Sequence, residues 1–156
     1  MTTITPGDAI LAVLKANTDC SDLVYNGADG IIDVGDLSIN WLRDVEAARR
    51  SEGSTDILTM VVRDGSEVAG SNRHANVYVG LYDRQQGYAK LKIAQAQVIY
   101  AVEHAANVML DAVQTEKRTP LSMEYAERSG FVTDSTWHLQ LVEVRFDVTV
   151  YYEETY

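Results

Sequence analysis

From Val142 to Val150 the chain alternates strictly. Val142, Val144, Phe146, Val148 and Val150 fall on one side, and Glu143, Arg145, Asp147 and Thr149 on the other. A period of two sustained over these residues predicts a strand with one face buried and one in water. Just upstream, Trp137, Leu139 and Leu141 carry the opposite parity. That switch predicts a bulge, or a separate strand before the long one. A second alternating run, Val77, Val79 and Leu81 between Asn76, Tyr78, Gly80 and Tyr82, predicts another strand, and the Ile57 to Arg63 run a further one. These two form an expected antiparallel hairpin. Asp64 to Arg73, polar and containing Gly65 and Gly70, is its expected loop of about ten residues. Hairpin loops usually have about 2–5 residues, so one this long reads as a contact arm.

Helical spacing appears in three places. Thr5-Pro6-Gly7-Asp8 carries start signals: a capping hydroxyl, a proline suited to the first helical position and an acid in the first turn. Ile10, Leu11, Val13 and Leu14 then supply one apolar stripe, ending near Asn17. Val34, Leu37, Trp41, Leu42, Val45 and Ala48 recur at three and four, which predicts a helix over roughly 37–50, with Arg49 and Arg50 at its end complementing the dipole. The longest pattern runs from Gly87 to Val113. Tyr88, Leu91, Val98, Val102, Ala105, Met109 and Val113 mark its expected buried side, and its alanines favour helix and close packing on a sheet. Residues 26–36 read as a Gly- and Asp-rich loop, and residues 114–130 as polar and irregular. The expected order is helix, helix, strand, strand, helix, strand, strand. This is an α+β fold with a mostly antiparallel sheet, one long helix on a face, a short N-terminal helix and a long β-hairpin arm. At 156 residues the expectation is one domain, with 26–52 as a loop-plus-helix insertion.

Charge narrows the function classes. Thirteen basic residues against 23 acidic leave a net charge of −10, which argues against a bare nucleic-acid binder. The imbalance sits at the two ends, and residues 61–120 are nearly neutral. A single cysteine, Cys20, excludes an internal disulfide and a cysteine-cluster zinc site. No apolar run reaches the roughly 18 residues of a membrane span, and the first residues lack a secretory layout. A soluble protein made in a reducing cytoplasm is the expectation.

Candidate chemistry is sparse. His74, His104 and His138 belong to no metal-binding spacing, and no nucleophile elbow, P-loop or dinucleotide fingerprint is present. No catalytic residue and no cofactor are assigned. The loop from Asn26 to Leu37 resembles a calcium loop of EF-hand type, with Asp29, Asp33 and Asp36 as candidate ligands. Position one falls on Tyr25, however, so the anchoring carboxylate is missing and a polar surface turn is the better reading. Lys90 and Lys92 lie near the start of the long helix, where the dipole disfavours cations. They either face acidic groups on a neighbouring subunit or are simply solvated. With Asp64, Glu67 and Arg73 of the arm, they make up the candidate interface.

The short first helix (Asp8 to Ala16), the two strands around Ile57–Val62 and Asn76–Tyr82, the Ala-rich helix Tyr88–Val113 and the closing strand Val142 to Tyr152 together resemble the tail terminators of long-tailed bacteriophages, the lambda-type tail completion family. The likeness covers about residues 54–156 and the first helix, and rests on architecture and strand texture. Residues 26–52 are longer than that pattern. The resemblance implies a non-enzymatic ring, usually a hexamer, on the head-proximal end of the tail tube in the virion. Such a ring stops tube growth, with the major tail tube protein on one side and a head-completion or connector protein on the other. DNA would pass its lumen without specific binding, and no membrane is involved. The alternatives are a head-closure or connector ring of the same neck, and a small-ligand-binding α+β domain.

Overall fold

The computed structural model describes residues 6–68, 72–83, 88–113, 118–129, 132–134 and 139–152. Ten elements follow in chain order: α1 (Pro6–Ala16), α2 (Thr18–Ser21), β1 (Ile31–Asp33), α3 (Ile39–Glu52), β2 (Thr59–Val68), β3 (Asn72–Asp83), α4 (Tyr88–Val113), β4 (Arg118–Arg128), β5 (Val132–Asp134) and β6 (Leu139–Tyr152). The strands form one six-stranded sheet in the order β1-β2-β3-β6-β4, with β5 also paired to β6. Among the described strands only the β1–β2 pairing is parallel, and an isolated parallel bridge joins Val24 and Ile57. The α+β class and the mostly antiparallel sheet are as the periodicity predicts.

The alternation of β6 places Val142, Val144, Phe146 and Val148 against α1 and α4, joined by Val77, Val79 and Leu81 of β3 and Met60 and Val62 of β2. From α4 come Leu91, Ala94, Val98, Ala101 and Val102; from α1, Ala9, Ile10, Val13 and Leu14. Of the α4 alanines, Ala94 and Ala101 lie in this core and Ala96 is exposed. A second, smaller cluster gathers Tyr25, Leu42, Val45, Leu58 and Leu139, with Leu37, Trp41 and Tyr82 against it.

That second cluster explains the parity switch before Val142. β6 is neither bulged against β3 nor broken there. Its register with β3 runs without a shift from Gln140 to Tyr151. Leu139, Gln140, Leu141 and Val142 are all buried, because this end of the sheet is covered on both sides. A strand buried on two faces loses its alternation.

Other expectations are corrected. Residues 26–36 are not a plain loop: they hold two 3-10 turns around β1, which lays Ile31, Ile32 and Asp33 beside Met60, Val61 and Val62. Residues 114–130 are not irregular: β4 occupies 118–128. Two register shifts, at Pro120/Ser122 and Tyr125/Glu127, scramble its alternation, and an edge strand tolerates Pro120 because one side of its ladder is unpaired. The hairpin loop is also shorter than ten residues, since β2 continues to Val68 and β3 begins at Asn72. Polar residues fit these strand ends, where an irregularity between Asp64 and Glu67 interrupts the register.

The helix expected over roughly 37–50 is α3, and it begins later than its apolar spacing suggests. Ser38 is its N-cap, its hydroxyl accepting from Trp41 N at 3.1 Å, and Gly53 closes it in the left-handed region at φ 67°. Val34 therefore lies outside the helix, and the buried stripe is Leu42, Val45 and Arg49. Removing the cap leaves an orphan donor in the first turn. Ser38→Ala should cost about 1 kcal/mol in urea unfolding, with the slope of the transition unchanged. The proposed capping role of Thr5 for α1 lies outside the described residues.

Candidate assembly surfaces

The residues singled out from sequence do not converge on one site. Asp64 reaches α1, its carboxylate accepting from Gly7 N at 2.8 Å. An acid there satisfies one of the helix's free N–H groups and complements its dipole. Glu67 pairs through its backbone with Ala75, and Arg73 with Val150; their side chains lie outside the described residues. Lys90 Nζ donates to the Thr55 carbonyl, which ties the start of α4 to the segment before β2. Lys92 is exposed on α4.

In the Asp-rich segment, Asp33 caps the second 3-10 turn, its carboxylate accepting from Gly35 N at 2.8 Å, and Asp36 is exposed. Among the described residues no group of three or more His, Cys, Asp or Glu side chains is placed to hold a metal ion. Cys20 is buried, and burial, with the neighbouring Asp19 carboxylate, pushes its thiol up to about 11. It stays protonated at neutral pH, and a thiol in that state is a poor nucleophile. His104 is exposed and stacks on Tyr100 at 5.4 Å between ring centroids. The side chain of His74 and the whole of His138 lie outside the described residues.

Two surfaces stand out that the sequence reading did not assign. The first is the sheet face away from α1 and α4. Cross-strand register sets Arg63, Tyr78, Arg145 and Glu127 side by side across β2, β3, β6 and β4. The Arg63 guanidinium lies 4.0 Å over the Tyr78 ring and 3.2 Å from Glu143. Arg145 meets Glu127 at 3.2 Å and Asp147 at 3.7 Å. Gly65 is needed here, since a Cβ would stand 2.7 Å from the Tyr78 ring. Half-exposed ion pairs of this kind contribute little to stability, about 0–1 kcal/mol each. They do balance the charge of the face: both arginines are matched by carboxylates, so the row is poorly suited to gripping phosphates. The polar half of the β6 alternation was the signal for it.

The second is a set of exposed apolar side chains. Among the described residues the large ones are Val34 (44% exposed), Ile39 (45%), Ile93 (57%) and Tyr100 (62%). Ile93 and Tyr100 lie seven residues apart, two turns along the outer side of α4, with exposed Ala96 between them. Val34 and Ile39 flank the turn between β1 and α3.

No family model matches the chain, and no curated protein matches it. Among solved structures, the chain resembles one from the virion of a native gene transfer agent particle. The TM-score is 0.59 and the identity 12%, with 93% of each chain covered. At that identity the likeness is one of fold, and it extends over nearly the whole of both chains.

Proposed function

We propose that this protein is a structural subunit of a phage-type virion, a non-enzymatic tail terminator. In this reading copies of the chain form a ring, in the family usually a hexamer, that caps the head-proximal end of the tail tube, stops its growth and receives the head. The observation that carries the reading is the fold match to a virion chain over 93% of both chains. That share is larger than the stretch on which the sequence resemblance rests, about residues 54–156 and the first helix.

Physical features support it. With a net charge of −10 and matched arginines on the open sheet face, a ring of these subunits would give passing DNA little counterion-release attraction. A head-closure or connector ring of the same neck is the second reading, favoured by the same fold match, which does not distinguish positions within a virion.

Deleting the gene from its phage or prophage separates them. A terminator loss yields tails of uncontrolled length and heads without tails, and complementation restores both. A loss that leaves tails of normal length but unjoined favours the connector reading. Normal, joined particles would refute both.

A further inference from the structure

We propose that copies of this chain associate head to tail, the outer stripe of α4 on one copy seating on the 34–39 turn of the next. The inference deepens the ring reading, on which it rests, by naming the two surfaces that meet.

Exposed apolar side chains mark both halves. Ile93 and Tyr100 project from the side of α4 opposite its buried residues Leu91, Ala94, Val98 and Ala101. His104 stacks on Tyr100 with the rings 8° from parallel, which makes that aromatic a firm anchor. Val34 and Ile39 make up the other half. A single molecule cannot bring the two together. The 34–39 turn follows β1 at one margin of the sheet, whereas α4 packs over β4, β6 and β3 towards the other, with α1 also against it.

Charge decides which patch meets which. Around the turn, residues 29–44 hold Asp29, Asp33, Asp36 and Asp44 against a single base, Arg43. The corresponding length of α4, residues 88–104, holds Lys90 and Lys92 against a single acid, Glu103. Two turns facing each other would set aspartates against aspartates, while an α4 stripe facing a turn sets apolar on apolar and lysine near aspartate. Unlike patches at opposite margins make a heterologous contact, the kind that closes into a ring when the rotation fits.

The test uses the full chain with single cysteines at exposed positions, Asp36→Cys and Ala96→Cys. The buried, protonated Cys20 serves as an internal control that should not react. At millimolar protein, a short bismaleimide should join a mixture of the two variants into dimers. Neither variant alone should dimerise, and a chain carrying both cysteines should give a ladder. Adding Ile93→Ser and Tyr100→Ser to the Ala96→Cys partner should lower the dimer yield at least ten-fold without changing its Tm. Dimers from either variant alone, no cross-link in the mixture, or a yield that survives loss of Ile93 and Tyr100 would each overturn the pairing. None of these results depends on whether particles lacking the gene join heads to tails, so the pairing can fail while the virion reading stands, and the reverse.

Discussion

Arg49→Met should destabilise the fold by about 3–5 kcal/mol, the range for removing one partner of a buried ion pair. Arg49 is 7% exposed and Asp83 5%, and the guanidinium meets the Asp83 carboxylate at 2.5 Å. The same side chain donates to the Asp56 carbonyl at 3.0 Å and meets Glu46 at 2.7 Å. One residue of α3 therefore ties the helix to the end of β3 and to the segment leading into β2. Methionine fills similar volume but supplies no donor, so the Asp83 carboxylate stays buried without its guanidinium. For a chain of this size each kcal/mol lowers Tm by about 2–4 °C, which makes the loss large in a thermal melt.

The double variant Arg49→Met with Asp83→Leu should recover at least half of that loss, because an apolar pair removes the desolvation cost that the buried carboxylate keeps without the guanidinium. Glu46 does not obstruct this, since it also meets Arg50 at 3.3 Å. Arg50, whose side chain is 63% exposed, supplies the control. Arg50→Ala should change stability by no more than about 0.5 kcal/mol. Strict additivity of the Arg49 and Asp83 substitutions would show that the two side chains are energetically independent despite their contact.

Arg49 also shows where sequence reading ran out. The spacing put Ala48 in the stripe after Leu42 and Val45, whereas the structure leaves Ala48 exposed and buries Arg49; an arginine near a helix C-terminus reads first as a dipole partner in water. Asp83, its partner, is 34 residues away and joined only by the fold. What was legible came from long, regular periods: α4 over 26 residues and the alternation of β6. β4 was lost because two register shifts break its period, and β1 because three residues are too few to show one. The contact surfaces were hidden for a related reason. Val34 fits the helical spacing of α3 but lies before its cap, and Tyr100 is one apolar residue of many in α4 until the buried face is known. Lys90 and Lys92 did stand out, as cations at the wrong end of a helix. The structure gives Lys90 an acceptor in Thr55, and Lys92 is exposed on α4.

Phe146→Ala should cost about 3–5 kcal/mol, the largest effect expected of a single core truncation among the described residues. Phe146 is fully buried and is the bulkiest wholly enclosed side chain among the described residues. It stands opposite Val77 on β3 and Tyr125 on β4, at the centre of the face that α1 and α4 cover. Neighbours anchored on the uninterrupted β3–β6 ladder cannot collapse into the space a lost ring leaves, so the cavity cost adds to the lost transfer energy. Phe146→Leu keeps most of the volume and should cost less than half as much. The adjacent Asp147 points to the open face, its side chain 51% exposed, so Asp147→Ala should move stability by no more than about 0.5 kcal/mol. Urea unfolding of the three variants measures whether the two faces of β6 differ as their burial requires. Equal losses at Phe146 and Asp147 would mean that the alternation of this strand does not set which face is buried, and the helices would then be packed on a different side of the sheet.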